Sequence, residues 1–157
     1  MDGAPCACAM VEERSVMPQS RVDIRTLPGT SVGLGSSGPR TLTVDRSKEA
    51  GGEGLGFSGG ELLLLAIGGC YSNDLFREAS RRAIRVQAVH VTVGADWGGD
   101  PVRAQNVTYS VTVEAEAPEA EILELIRHTD RVAEIPNSLR LGTKVELASA
   151  AATSRLA

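Results

Sequence analysis

Apolar and polar residues alternate through "RVDIRTL", which stops at the turn signal Pro28-Gly29, and through the shorter runs "SVGLG" and "RTLTVDR", split by "GSSGP". These runs predict an N-terminal meander of two or three antiparallel strands. "SKEAGGEGLGFSGG" then carries six glycines in fourteen residues, which is the composition of a loop. From Glu61 to about Ala83 the chain has no proline, and its apolar residues come first and its charges later: "ELLLLAIGGCYSNDLFREASRRA". This predicts a helix whose first half is apolar nearly all round, the pattern of a helix buried on several sides by a sheet or by a second subunit. Two long alternating runs, "VQAVHVTVGAD" and "QNVTYSVTVEAEA", flank a loop around "WGGDP" and predict a hairpin. Pro118 opens a second helix, amphipathic, with Ile122, Leu125, Ile126, Thr129 and Val132 on one face. A short segment, "IPNSLRLG", and a closing strand, "TKVEL", complete the order strands, helix, hairpin, helix, strand. That order is α+β and not a parallel βαβ wind.

The chain has 157 residues, enough for one domain. The small, polar ends divide it into a flexible N-terminal tail over 1–20, a domain over 21–148 and a flexible C-terminal tail over 149–157. Sixteen basic and twenty acidic residues give a net charge of −4, without the clustered positive excess that nucleic acid or an anionic membrane would select. With aromatics at 3%, base-stacking platforms are also excluded, and the core falls to Val, Leu, Ile and Ala. "MDGAPCACAM" lacks the basic and apolar regions of a signal peptide, and no run is long enough to span a bilayer, so a cytoplasmic location is expected. Thiols stay reduced there, so the three cysteines read as reactive or buried before they read as disulfides. Cys6 and Cys8 form a C-x-C without a second ligand pair, and no metal site is expected from them. No nucleotide cradle or other cofactor motif is present, so no cofactor is expected.

The chemistry centres on "ELLLLAIGGCYSND", where Cys70 follows two glycines. A functional thiol needs something that lowers its pKa, whereas apolar surroundings leave it inert. Asp74, one helical turn on, opposes thiolate formation if unpaired; Arg77, a further turn along, either neutralises Asp74 or approaches the sulfur. Gly68 and Gly69 each cost about 1 kcal/mol against alanine in a helix, which points to close approach of another backbone, a helix crossing or a substrate. His90 and His128 form no certified motif with Cys70. Periodicity alone therefore leaves Cys70 open between core packing and nucleophile.

The segment "LTVDRSKEAGGEGLGFSGGELLLLAIGGCYSNDL" resembles the centre of the OsmC/Ohr family of thiol-dependent peroxidases. Asp45, the glycine-rich loop, Glu61 with Leu62, and Gly69-Cys70 take the places of the family's strand-end Asp, its loop, its helix start and its reactive cysteine. Asp74 matches a residue common in one branch. The likeness extends over roughly Arg21 to Leu147, and "IPNSLRLGTKVEL" is similar to the family's Cys-Pro-x-Ser segment and last strand. The resemblance implies an intertwined α+β homodimer with the cysteine helices central and active sites at the subunit interface. It also shows departures. The family's second cysteine falls on Ile135, its helix-start proline on Gly59, and the acid of its best-studied branch on Gly60. The expected arginine falls on Arg40, on the better-matching strand, or on Arg25.

The resemblance thus implies Cys70, Glu61 and Arg40 as catalytic residues, an organic hydroperoxide as substrate and an external thiol as reductant, in oxidative or osmotic stress defence. The alternative is a non-enzymatic homodimer that binds a small hydrophobic ligand at its interface. Geometry adds a condition: nine residues at 100° each put Glu61 on the opposite side of a helix from Cys70 and about 13 Å along it. Either Glu61 lies in the loop before the helix, or it meets the cysteine across a dimer, or it is only a first-turn acid.

Overall fold

The computed structural model describes residues 19–154. Cys6, Cys8 and most of the expected N-terminal tail lie outside the described residues. The N-terminal meander has three strands, β1 (Asp23–Thr26), β2 (Gly33–Ser37) and β3 (Arg40–Val44), antiparallel in the order β1-β2-β3. The register runs from Asp23 opposite Ser36 to Thr26 opposite Gly33, and from Gly33 opposite Val44 to Ser37 opposite Arg40. These strands pack chiefly on one another. Their apolar residues Val22, Ile24, Leu34 and Leu42 stay exposed.

Asp45 organises the glycine-rich loop. It is only 3% exposed, and its carboxylate accepts the backbone N–H groups of Arg46 (2.8 Å), Glu53 (3.0 Å) and Leu55 (3.1 Å). The loop thereby folds back on β3, where Phe57 exchanges backbone hydrogen bonds with Thr43 and Asp45. At Gly56 a Cβ would lie 2.4 Å from the Thr43 carbonyl oxygen, so only glycine fits this return.

The loop delivers the chain to α1 (Gly59–Arg81), capped by Ser58, whose hydroxyl accepts the Glu61 N–H while the Glu61 carboxylate accepts the Ser58 N–H at 2.7 Å. The hairpin strands β4 (Arg85–Gly98) and β5 (Arg103–Glu116) pair from Arg85 opposite Glu116 to Gly98 opposite Arg103, with irregularities at Val86/Ala88 and Gly94/Asp96. They run further toward the tip than the sequence predicts, taking in Trp97 and Gly98 of "WGGDP". After the first irregularity Val89, Val91 and Val93 turn inward on β4, and Tyr109, Val111 and Val113 do so on β5.

The second helix, α2 (Glu119–Val132), buries Leu125 and Thr129 on the expected face, with Ile122, Ile126 and Val132 half-buried beside them. "IPNSLRLG" is largely helical, as α3 (Glu134–Arg140). The core comprises Tyr71, Leu75 and Ala79 of α1 with Ile84, Leu125 and Ala133. It therefore sits around the second half of α1, against the inward face of the hairpin and α2. The expected closing strand over 143–147 differs from the observed backbone, which has no strand pairing there; Val145 is 93% and Leu147 86% exposed. A strand needs an edge to bond to, and this chain brings none beside that segment.

The three amide bonds hold the Asp45 carboxyl below its usual range, the Leu55 N–H contributing most. A depressed carboxyl stabilises above its unfolded pKa of about 4 and loses that contribution as pH falls through the lower folded value. Asp45→Ala is expected to speed tryptic cleavage after Arg46 and Lys48 by about tenfold or more, since the loop loses three charge-assisted bonds. Cleavage at the wild-type rate would show that the loop holds itself.

Candidate active site

Cys70, Asp74 and Glu78 follow at four-residue steps along α1, so they share one stripe of the helix, with Arg77 and Arg81 beside it. Asp74 is buried, at 4% exposure. Its Oδ1 meets the Arg77 guanidinium at 2.6 Å, while its Oδ2 accepts the Glu134 N–H at 3.3 Å and the Cys70 thiol at 3.5 Å. The partly exposed Cys70 Sγ in turn accepts the backbone N–H of Ile135 at 3.4 Å. The start of α3 therefore lies against the thiol, with one amide on Asp74 and the next on the sulfur. Arg77 joins three acids, reaching Glu78 at 3.1 Å and Glu134 at 3.3 Å besides Asp74. Glu78 extends the network to Arg81 (2.8 Å) and to His128 Nε2 on α2 (3.1 Å).

Burial pushes the Cys70 thiol above its ordinary range; the Ile135 amide pulls it down, and the Asp74 charge raises it further. Glu78 moves the other way, held below the usual carboxylate range by Arg77 first and then by His128 and Arg81. Cys70, Asp74 and Glu134 present ligand atoms within 4.8 Å of one another. Arg77 already neutralises both acids, so a cation would have to displace it.

The other sequence candidates lie elsewhere on the chain. Glu61 is the third residue of the continuous helix that carries Cys70, so the loop alternative is closed. It lines a hollow of about 440 Å³ on the far side of α1, with Leu64, Leu65, Gly68, Gly69, Val91 and Val93. Its carboxylate caps the helix, and the Ser58 N–H lowers its pKa. Arg40, at the start of β3, bonds the Ser37 carbonyl and hydroxyl and borders an apolar hollow with Leu42 and Leu62. Arg25 is exposed on β1. Within one chain, no described contact joins Glu61, Arg40 or Arg25 to Cys70. Of the two glycines, Gly68 lies under the hairpin, where a Cβ would meet Val93 at 3.3 Å, whereas Gly69 faces open space.

Glu78 and Glu134 escaped the sequence reading, and His128, weighed there only as a partner of Cys70, bonds Glu78 instead. The four-residue step from Cys70 through Asp74 signals Glu78. Nothing local signals Glu134 or His128, which arrive from α3 and α2.

The model of the OsmC-like protein family matches residues 51–148. The chain belongs to the OsmC-like family. Among solved structures it is similar to an OsmC-like protein from Mycoplasma pneumoniae, at 17% identity and a TM-score of 0.67, covering 80% of this chain and 89% of that one. It is also similar to the organic hydroperoxide resistance protein OsmC of Legionella pneumophila, at 16% identity and a TM-score of 0.57, covering 80% and 91%. A third likeness is to an organic hydroperoxide resistance protein of Elizabethkingia anophelis, at 19% and 0.56, with the same coverage. At such identities these structures show the fold. No curated protein matches the sequence. In this OsmC-like protein, no helix among the described residues is long and apolar enough to cross a membrane.

Asp74→Asn removes the charge that opposes the thiolate and releases Arg77 from its shortest ion pair. Both effects favour the thiolate, so the midpoint of Cys70 alkylation by iodoacetamide is expected to shift to lower pH. A shift to higher pH would show that Asp74 supports the thiolate through the groups it positions.

Proposed function

We propose that this OsmC-like protein is a cysteine-based reductase of organic hydroperoxides that works as a homodimer in the cytoplasm, in oxidative or osmotic stress defence. The observation that carries this reading is the setting of Cys70. The thiol that matches the family's reactive cysteine is partly exposed and held between the Asp74 carboxylate and the Ile135 amide. As thiolate it attacks the terminal oxygen of the hydroperoxide, an alcohol leaves, and Cys70 becomes a sulfenic acid. The names of the Legionella and Elizabethkingia proteins support organic hydroperoxides as the substrate class.

The raised pKa of Cys70 in a single chain means that a cation must be added to form the thiolate at neutral pH. In this reading Arg40 of a second copy supplies it, anchored by Glu61, with Arg25 as the other candidate. Unburied apolar surface supports a dimer: Leu65 on α1 is 53% exposed, the hollow beside it is lined by leucines and valines, and the N-terminal sheet bares Ile24 and Leu42. Ile135 stands where the family has its second cysteine, so an external thiol, or Cys6 or Cys8, completes the reduction.

The second reading is a non-catalytic dimer that binds a small hydrophobic ligand. Burial and Asp74 favour it by keeping the thiol protonated.

Cys70→Ser is expected to abolish consumption of cumene hydroperoxide, while Cys6→Ser and Cys8→Ser retain it; unchanged turnover without Cys70 would remove the catalytic reading. Leu65→Glu tests the dimer by sedimentation. Wild type is expected to run at twice the 16.5 kDa chain mass and the variant at the monomer mass. A wild-type monomer, or a variant that stays dimeric, would contradict burial of this face between copies.

A further inference from the structure

We propose that oxidised Cys70 closes onto the backbone nitrogen of Ile135, forming a sulfenamide that links α1 to α3 in place of a disulfide at position 135. The inference rests on the reading of Cys70 as the residue that a hydroperoxide oxidises.

Three observations meet here. Cys70 is the only cysteine among the described residues, so within them a sulfenic acid has no second thiol to condense with. The backbone amide that donates a hydrogen bond to the sulfur is that of Ile135, at 3.4 Å from Sγ. That amide is otherwise uncommitted: it is the second of α3, and the first backbone bond into this helix comes from Asn137 to the Ala133 carbonyl. The early amides of a helix have no carbonyl one turn back to bond to, so converting this N–H to N–S breaks no helical hydrogen bond. The nitrogen is also held in place. Glu134 N–H binds Asp74 and the Glu134 carboxylate binds Arg77, so both groups that fix the start of α3 belong to the helix carrying Cys70.

The chemistry balances without a further oxidant. An organic hydroperoxide transfers its terminal oxygen to the sulfur, the O–O bond breaks and an alcohol departs, leaving Cys70 S–OH. The Ile135 nitrogen then attacks sulfur, the S–O bond breaks and water departs. The amide proton goes to that leaving oxygen, with Asp74 Oδ2, 3.5 Å from Sγ, placed to carry it. Sulfur keeps its oxidation level in this step. An external thiol next attacks the sulfur, the S–N bond breaks, the nitrogen regains its proton, and a mixed disulfide forms that a further thiol reduces. Closing the ring takes Cys70 off the path to sulfinic acid, which thiols do not reverse.

The test uses the full chain with Cys6→Ser and Cys8→Ser, so that a tail cysteine cannot produce the same mass change. After one equivalent of cumene hydroperoxide, the intact mass is expected to fall by about 2 Da from the reduced form. Tryptic peptides 49–77 and 132–140 should be joined through Cys70 and Ile135, and dithiothreitol should separate them. Ile135→Pro, with no amide hydrogen, is expected to stop instead at a species about 16 Da heavier that dimedone captures. The cross-link measurement needs no change at position 135, so it stands whether or not that variant folds. A Cys70 sulfenic acid, or a disulfide between the Cys70 residues of two copies, without the 49–77 to 132–140 link overturns the sulfenamide and leaves Cys70 as the oxidised residue. No modification of Cys70 at all overturns both readings.

Discussion

The buried carboxylate of Asp74 is the constraint on which the junction of α1 and α3 depends. Taking an ionised carboxylate out of water costs several kcal/mol unless charges and hydrogen bonds replace its hydration. Here the replacements are the Arg77 guanidinium, the Glu134 amide and the Cys70 thiol. Each also does something else: Arg77 ties in Glu78 and Glu134, the Glu134 amide seats α3, and the thiol is the candidate reactive group. Satisfying one buried charge therefore fixes which backbone amide reaches the sulfur. It also sets the electrostatic problem of the site, because the carboxylate that positions Cys70 disfavours its ionised form.

α1 serves two surfaces with one helix. Its second half is enclosed by its own chain, with Tyr71, Leu75 and Ala79 in the core and the Tyr71 hydroxyl bonded to the Ile126 carbonyl at 3.0 Å. Its first half keeps a leucine-rich face that borders a hollow and is not enclosed within the chain. The N-terminal sheet has the same character, held together by its own ladder and by the Asp45 loop while its apolar residues stay exposed. The fold thus packs firmly around the thiol end of α1 and leaves the Glu61 end open. In the proposed dimer, a second copy of the chain would meet both needs at once, covering apolar surface and bringing a cation to the site.

The local elements were legible because their signals are local. The proline-free apolar run from Glu61 announces a helix, the glycines a loop, and the alternating valines a hairpin. The face of α2 follows from 3.6-residue periodicity alone, and Leu125 and Thr129 lie on it. "TKVEL" reads as a strand because alternation is a side-chain pattern, while a strand is made by hydrogen bonds to an edge that sequence does not locate. "IPNSLRLG" hid its helix for a related reason: the helix is only about two turns long, and its proline falls in the first turn, where proline is tolerated.

The sequence by itself determined the α+β class, the family likeness, Cys70 as the candidate thiol and the helix face it shares with Asp74, all of which depend on residue identity and spacing along the chain. Helical geometry also required Glu61 and Cys70 to face opposite ways if one continuous helix carried both, and the structure supplies that helix. The tertiary structure decided which groups touch the thiol. Glu134, Ile135 and His128 lie fifty residues or more from their partners on α1, and only the packing of α2 and α3 against that helix closes such distances. The contact at Ile135 is made by a backbone amide, a group every residue but proline carries. No side-chain pattern could have singled it out.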